Sequence, residues 1–294
     1  MSLMKETLGS KLFDIFNYAF LGLFGLATVL PFIYVVAGSF TSPQEFISRK
    51  IVLFPHQLSL EGYKYIFSTD VLLTSLGVSI FITLAGTAIN LLFTCLMAYP
   101  LARKDLDGRK FIMLGVIFSM LFSGGMIPTF LVVKELGMIN SFWSLLLPGA
   151  ISAFNLIVLK NFFQQLPEGL EEAAKIDGCN DLRILWQIVL PLSLPAIATF
   201  ALFYAVGHWN SFFHAVLYIN DNYKWPIQVW LRQIVILSSG GLGDSGTFDA
   251  NYIVPPAQIV KMSVIVISTL PILCVYPFLQ KHFVKGTLIG SVKG

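Results

Sequence analysis

Residues 167–195, PEGLEEAAKIDGCNDLRILWQIVLPLSLP, form a long polar run between two very apolar segments, and the interpretation of the whole chain depends on them. Pro167 suits the first turn of a helix, where a missing N–H costs nothing, and the glutamates after it place negative charge at the positive helix end. One narrow apolar face is formed at positions i, i+4, i+7 and i+8 by Leu166, Leu170, Ala173 and Ala174. The pattern predicts a short amphipathic helix.

A sharp turn and a second helix follow. Asp177 and Gly178 end the first helix, because glycine adopts the left-handed conformation without steric cost. Asn180 is suited to cap the next helix, whose apolar side carries Leu182, Leu185, Trp186 and Val189. The stretch therefore predicts two short helices lying flat against a membrane, as a docking element for another protein. The alternative is a surface hairpin with no partner.

The spacing of this stretch resembles a family signature. Glu172-Ala173-Ala174, two residues, Asp177-Gly178, nine residues and then Ile188-Val189-Leu190-Pro191 resemble the EAA loop of permease subunits in bacterial ABC importers. The family usually has alanine after the glycine, where this chain has Cys179, one small residue for another. The resemblance implies that the ATPase-coupling residues are Glu172, Ala173, Ala174, Asp177, Gly178, Asn180 and Pro191.

The composition is that of a membrane protein. Charged residues make up 12% of the 294 residues, about half the usual share of a soluble domain, and 26 residues are phenylalanine. The net charge of +3 does not indicate nucleic-acid binding, because the basic residues are scattered and form no stripe. Cys95, Cys179 and Cys274 are far apart, so the sequence supports neither a disulfide framework nor a metal site.

Hydropathy predicts a polytopic all-α protein, a single transmembrane domain over 1–294. A bilayer crossing needs about 20 apolar residues, and six stretches qualify: 15–38, 71–99, 111–133, 141–163, 186–217 and 259–280. The first is too long for the apolar core of a signal peptide. Between the spans lie a coupling loop at 164–185 and long outer loops at 39–70 and 218–258, the latter with a predicted helix at 226–237. Glycines and prolines interrupt three spans, at Gly124, Gly125, Pro128, Pro191, Pro195, Pro271 and Pro277.

The distribution of basic residues predicts the orientation. Most of the 19 Lys and Arg residues fall on the inner side if the N-terminus is cytoplasmic. The short loop near 102–110 carries four of them, Arg103, Lys104, Arg109 and Lys110, and short loops dominate the positive-inside rule. We therefore expect a protein of the bacterial cell (inner) membrane with cytoplasmic N- and C-termini. This orientation places the Glu172 segment on the cytoplasmic side.

The acidic residues bear on the energy source. None of the 16 Asp and Glu residues falls in the middle of a predicted span. Ion-coupled carriers usually need an intramembrane carboxylate to bind the driving ion, so an ion-coupled secondary carrier is disfavoured. The chain contains no GxxxxGK[ST] motif, and the GxGxxG at 241–246 has neither the strand before it nor the helix after it that a nucleotide site requires.

Polar and aromatic residues inside the spans are candidates for a substrate pathway. Sugars are bound by aromatic faces and by amide or hydroxyl groups, and both kinds occur in the fifth span around residues 204–211. The candidates are Asn90, Asn155, Tyr204, His208, Trp209, Asn210 and Ser211. The competing interpretation is that these side chains join helices to one another.

The whole chain resembles the second permease subunit of carbohydrate ABC importers of the maltose type. Met126-Ile127-Pro128, Leu136-Gly137, Asn140, Trp209-Asn210 and the ending KHFVKG at 281–286 carry this resemblance. Within that class the chain looks most similar to the branch for complex or acidic oligosaccharides, including alginate importers.

The resemblance implies a type I importer permease fold with cytoplasmic coupling helices and transport by alternating access. The implied partners are a related permease chain, two ATP-binding subunits that hold ATP and Mg, an extracytoplasmic solute-binding protein, membrane lipid and an oligosaccharide. The chain itself would hold no cofactor or metal and carry no catalytic residue. An amino-acid or peptide importer permease and a non-transport membrane scaffold are the alternatives.

Overall fold

The computed structural model describes residues 8–49, 51–68, 70–239 and 257–291, and within these ranges the chain is helical without a β-strand. This confirms the predicted all-α class. Part of the outer loop predicted at 218–258, together with the GxGxxG pattern, lies outside the described residues. The helices are α1 (Leu8–Ser39), α2 (Pro43–Ser48), α3 (Glu61–Phe67), α4 (Asp70–Ala102), α5 (Arg109–Leu121), α6 (Met126–Glu135), α7 (Trp143–Leu146), α8 (Ala153–Phe163), α9 (Glu168–Ile176), α10 (Asp181–Ile184), α11 (Leu190–Leu192), α12 (Leu194–Trp209), α13 (Phe213–Tyr218), α14 (Ile227–Ser239) and α15 (Ala257–Ser291).

Three described helices contain stretches long and apolar enough to cross a membrane, at Gly9–Ser39, Asp70–Ala102 and Gln258–Val275. The number rises to five if each of two bent helix pairs forms one crossing. The apolar helix α8 is shorter, with 11 residues. Six crossings therefore stay a prediction.

The helices bend where the sequence carries glycine and proline. Helices α5 and α6 meet at 115°, and Gly125 in the break has φ of +87°. In the fourth predicted span, residues 147–152 between α7 and α8 are not helical. In the fifth, the chain bends by 86° at Ser193, which stands between Pro191 and Pro195. Helix α15, in contrast, continues through Pro271.

The chain divides into two compact units, of which the first combines residues up to Thr69 with Gln233–Thr269. In this unit the hydroxyl groups of Ser39 and Tyr63 share a hydrogen bond of 2.8 Å. The buried carboxylate of Glu45 accepts the backbone N–H groups of Gln57 and His56 at 3.0–3.1 Å, and these bonds hold its pKa below the ordinary value. These hydrogen bonds attach the backbone at residues 56–57 to the Glu45 side chain of α2.

The second unit comprises Asp70–Arg232 and Leu270–Gly294 and is built around α4. Helix α4 packs along α12 and α8. At the end of α4 that leads to Arg103, the side chains of Leu101, Leu159, Ile184 and Leu185 are almost completely buried in one core. Ala174 of the predicted coupling loop belongs to the same core, so that loop is an integral part of this unit.

Candidate functional site

The local structure of the predicted coupling loop is confirmed. Helix α9 begins at Glu168, directly after Pro167, and ends at Ile176. Gly178 has φ of +80°, its N–H bonds the carbonyl of Lys175, and the N–H of Cys179 bonds the carbonyl of Ala174. This pair of hydrogen bonds is the glycine-dependent helix end expected from the sequence. The side chain of Asn180 accepts the N–H of Arg183 at 2.8 Å and caps α10, as predicted. We call residues 167–184 the coupling segment.

The two alanines of the motif face different surroundings. Ala174 is 6% exposed and packs in the core, whereas Ala173 is exposed. Glu172 is exposed beside Ala173, and Ile176 of the same helix is 87% exposed. Glu172, Ala173 and Ile176 are therefore accessible on the outer surface of α9. Ile176 was not among the coupling residues predicted from the motif.

Arg103, just beyond α4, attaches the coupling segment to that helix. Its guanidinium donates two hydrogen bonds to Asp105, at 2.9 and 2.5 Å, and a third to Asp181 at the start of α10. The Arg103 side chain is only 14% exposed. Lys175 of α9 lies 3.9 Å from the Asp105 carboxylate, so both helices of the segment meet the same charge cluster.

The charges in this cluster stabilise one another. The hydrogen bonds from Arg103 hold the pKa of Asp105 below its ordinary value. The same bonds to Asp105, together with those to Asp181, raise the pKa of Arg103. Both groups are therefore charged throughout the physiological pH range.

A cleft of about 500 Å³ lies between the coupling segment and the end of α4, with Arg103, Lys175 and Glu172 in its wall. Two further bonds cross it. The hydroxyl of Tyr99 donates to Glu171 at 3.5 Å, and the side-chain amide of Gln164 donates to the carbonyl of Ala102 at 3.0 Å. Both helices of the segment are thus bonded to α4 or to the loop after it, and Gln164, just beyond α8, is bonded to the last residue of α4.

The coupling segment continues directly into α12. One π-helical turn, Leu185–Val189, and α11 join α10 to the bend at Ser193. Ser193 is fully buried, and its hydroxyl makes no hydrogen bond with any described residue. Breaks of this kind in a helix are frequent hinge points.

A second cavity, of about 310 Å³, lies between α4, α12 and the break before α8. Four of the predicted pathway residues line it together: Asn90, Tyr204, His208 and Ser211. Asn90 is 12 residues before the end of α4, so the cavity is about 18 Å along this helix from the coupling segment. The further lining side chains that carry polar atoms are Thr129, Ser144, His214 and Tyr218.

Asn90 and His208 form a fixed pair in this wall. The Asn90 amide oxygen is 2.7 Å from Nε2 of His208, and its nitrogen donates to the carbonyl of Gly149 at 2.6 Å. The amide oxygen can only accept, so Nε2 of His208 carries the proton. The pair requires Gly86, because a Cβ there would lie 2.5–2.7 Å from the imidazole ring.

Tyr204 joins three elements at the same cavity. Its hydroxyl shares a hydrogen bond of 2.9 Å with Thr94 of α4 and accepts the N–H of Ser152 at 3.3 Å. Asn90, Tyr204 and His208 are therefore hydrogen-bonded to the protein, and the groups that remain to meet a ligand include Ser211 and His214.

The other predicted pathway residues lie elsewhere. Asn155 is buried in the first turn of α8, where its backbone N–H bonds Ser152. Trp209 is 5% exposed, and the Asn210 side chain donates to the carbonyl of Val206 at 2.9 Å. Neither Trp209 nor Asn210 lines the cavity.

Sequence reasoning missed the contributions of Thr129, Ser144, His214 and Tyr218 as lining residues. Hydropathy gives no signal for them, since single hydroxyls and rings are ordinary in membrane helices. These side chains come together in the wall of the cavity because the helices that carry them are interrupted. Among the described residues no group of three or more His, Cys, Asp and Glu side chains is placed to hold a metal ion.

Helices able to cross a membrane, an exposed segment at one end and a polar cavity deeper along the same helices are features of transport permeases. The chain belongs to the family of binding-protein-dependent transport system inner membrane components, whose sequence model matches residues 2–289. This confirms the predicted permease family and places the protein in the membrane.

Individual relatives cover almost the whole chain. The chain is 60% identical over 285 residues to the polygalacturonan/rhamnogalacturonan transport system permease protein YtcP of Bacillus subtilis (strain 168), covering 97% of this chain and 99% of that protein. It is 59% identical over 291 residues to protein LplC of the same organism, covering 99% and 98%. The fold matches a crystal structure of a bacterial ABC transporter involved in the import of the acidic polysaccharide alginate, with a TM-score of 0.86, 31% identity and coverage of 94% and 98%.

Proposed function

We propose that this chain is a membrane-spanning subunit through which an ATP-driven importer moves acidic oligosaccharides, of the galacturonan class, into the cell. The observation that carries the proposal is 60% identity, over nearly the full length, to a permease for polygalacturonan and rhamnogalacturonan. The structural likeness to an alginate importer, also for an acidic polysaccharide, supports the same class of substrate.

The cavity near His208 is compatible with an anionic sugar. Among the described residues its wall contains no Asp or Glu, while His208 and His214 both reach it. A ring N–H of His214 and the hydroxyl of Ser211 can donate hydrogen bonds to carboxylate and hydroxyl oxygens. A wall without carboxylates does not repel a uronic acid, which supports its passage.

In this proposal the energy comes from other subunits. ATP and Mg would bind two ATP-binding subunits, so this chain has no catalytic role and no cofactor of its own. A related permease would complete the pathway, and a solute-binding protein would deliver the sugar from outside. The exposed Glu172 and Ile176 support contact with the ATP-binding subunit, and Gly178 supports the turn that presents them.

Transport by alternating access would use the two connections described above. Movement of the coupling segment would be transmitted to α4 through Arg103 and to α12 through the bend at Ser193. Because α4 and α12 both line the cavity, a change in their relative position changes its access. The basic residues near 102–110 support cytoplasmic placement of this end and of both termini.

The substrate assignment is tested by purifying the complex that assembles with this chain and measuring ATP hydrolysis in sealed vesicles without an ion gradient. We expect oligogalacturonides to stimulate hydrolysis more than neutral oligosaccharides of equal length or peptides. Preference for the neutral sugars would disprove the acidic class, and stimulation by peptides alone would favour a peptide importer. Uptake that needs an ion gradient and no ATP would disprove the importer class.

The coupling role has a separate test. We expect Glu172→Lys to abolish co-purification of the ATP-binding subunit while the chain still inserts into the membrane. Lys134→Glu, a charge reversal at an exposed residue of α6, is the control. Equal ATPase recovery with both variants would contradict the assignment.

A further inference from the structure

A further cavity, of about 780 Å³, lies at the start of α5, and most of the charged side chains in its wall are basic. Its wall contains four basic side chains, Lys104, Arg109, Lys110 and Lys160, against one carboxylate, Asp107. The cavity lies at the same end of the second unit as the coupling segment, because Lys104 lines this cavity and the coupling cleft alike.

Lys160 shows that this cavity is suited to an anion. The side chain projects from α8 and is only 9% exposed. It makes no hydrogen bond or ion pair with any residue in the described part of the chain, and the charged group that acts on it is the like-charged Arg109. A buried ammonium without a counter-charge is costly, so a bound anion would relieve a cost that the chain alone leaves in place.

The backbone adds to this positive potential. Helix α5 begins at Arg109 after Gly108, which has φ of +73°, and it has no acidic residue in its first turn and no side-chain cap. Its 13 residues direct the positive end of the helix dipole towards the cavity wall formed by Gly108, Arg109 and Lys110. Such helix ends bind phosphate readily when basic side chains stand beside them.

An apolar surface leads away from the basic one. Phe111 lines the cavity and is 82% exposed, and Leu114 and Phe118 continue the same face of α5 at 63% and 58% exposure. Positions i, i+3 and i+7 follow one side of a helix. A ligand that combines a negative head with a long apolar chain would fit both surfaces, whereas a soluble anion would use only the first.

We propose that this cavity binds the phosphate of an anionic phospholipid whose acyl chain lies along Phe111, Leu114 and Phe118. Lys160, Lys110 and the first turn of α5 hold the phosphate, and basic clusters next to membrane helices are known to select anionic lipids in this way. The loop from Arg103 to Arg109 joins this site to the coupling segment. The bound lipid therefore steadies the loop from which Arg103 and Asp105 hold α9 and α10.

The test uses the full-length chain with its co-purifying subunits in nanodiscs that contain phosphatidylglycerol and phosphatidylcholine in equal amounts. Native mass spectrometry measures the phosphatidylglycerol that stays bound after release from the nanodisc. We expect Lys160→Met to reduce retention about tenfold, the effect of losing one charge-assisted hydrogen bond. Lys134→Met removes the same charge from an exposed position on α6 outside the cavity and should leave retention unchanged.

Lys110→Gln gives an independent measurement if Lys160→Met does not fold, because Lys110 is exposed and its loss creates no buried cavity. Retention that falls equally in Lys134→Met, or that is unchanged in both Lys160→Met and Lys110→Gln, would overturn the proposal. A further arm adds inorganic phosphate at millimolar concentration. Displacement of the lipid by phosphate would assign the site to a soluble anion and would also overturn it.

Discussion

Arg103 and Asp181 stand 78 positions apart in the sequence and form an ion pair that joins the end of α4 to the start of α10. The same guanidinium holds Asp105, so one side chain fixes both its own loop and the coupling segment. This pair directly connects the coupling segment to the helix that lines the polar cavity.

Removing this connection should weaken the link between ATP hydrolysis and uptake. A pair of this exposure is worth about 1 kcal/mol, so Arg103→Gln should lower uptake per ATP hydrolysed by roughly fivefold. Transport and hydrolysis measured together in reconstituted vesicles check this. Arg183→Gln, which removes an exposed arginine whose side chain bonds Gln187 within the described residues, serves as control. The exchange Arg103→Asp with Asp181→Arg should restore part of the coupling; no change in Arg103→Gln would refute the role.

The charge cluster should be insensitive to pH until strongly acidic conditions. The folded-state pKa of Asp105 is below its ordinary value of about 3.9, so the attraction is complete above that value and is lost as the pH falls through the lower folded value. We expect amide-exchange protection of residues 168–184, corrected for intrinsic rates, to be equal at pH 8 and pH 6. Asp105→Asn should lower protection at both. A transition near neutral pH that depends on Asp105 would contradict this.

The same substitution at the two adjacent alanines should affect different properties, stability at Ala174 and partner binding at Ala173. Ala174→Leu inserts three carbons into a filled core and should cost about 1–3 kcal/mol of stability. Ala173→Leu adds the same atoms on an exposed surface, so stability should be retained while binding of the ATP-binding subunit weakens. Thermal unfolding and co-purification of the two variants give the comparison. Equal thermal stability would show that Ala174 is not confined by the core.

Gly86 should be irreplaceable at its position in α4. In Gly86→Ala the added carbon would overlap the ring of His208 and displace it from Asn90, with a cost of about 1–3 kcal/mol and loss of stimulation by the sugar. Gly77→Ala, on the same helix, is the matched control, since an added Cβ there has no neighbouring atom within 4 Å. Unfolding temperature and substrate-stimulated hydrolysis are the measurements, and a sugar response in Gly86→Ala equal to that of Gly77→Ala would contradict the role of the pair.

Gly178 should be required for its backbone conformation rather than for space. Gly178→Ala places a side chain at φ of +80° and should cost about 1–2 kcal/mol, although no atom lies within 4 Å of the new carbon. Gly169→Ala, within helix α9 and also in open space, should stabilise the segment by about 0.5–1 kcal/mol. Thermal unfolding followed by circular dichroism checks this: the unfolding temperature should fall in Gly178→Ala and rise in Gly169→Ala.

The structure of the coupling segment could be predicted because its determinants are local. The cap at Asn180, the left-handed Gly178 and the helix end at Ile176 depend on residues within a few positions of one another. The inward face of Ala174 could not be distinguished from that of Ala173 by a pattern that assigned both to one stripe. For Arg103 the sequence indicates only a basic residue in a short loop, which bears on membrane orientation. Its pairing with Asp181 depends on how the end of α4 packs near α10, which a local pattern does not show.

The polar cavity was predicted in part. Asn90, Tyr204, His208 and Ser211 do meet at one place, and the first three also hydrogen-bond between helices or to the loop before α8, in line with the competing interpretation that these side chains join helices. The glycines and prolines at 124–128 and 191–195 indicated irregular helices, and the structure breaks there. Hydropathy averages over such breaks, and so it could not show that they bring Thr129, Ser144 and Tyr218 to the wall.

The 115° corner between α5 and α6 has a consequence for how the bilayer meets this protein. With 13 and 10 residues, the two arms are about 20 and 15 Å long, and neither alone crosses a hydrocarbon layer of about 30 Å. Between the arms, the N–H groups of Ser123 and Gly124 lie outside the helical ladder, and a hydrocarbon layer offers them no partners. If α5 and α6 form the predicted third crossing, neighbouring subunits or a film of solvent must reach this depth, and the lipid boundary of the protein is then indented at the corner.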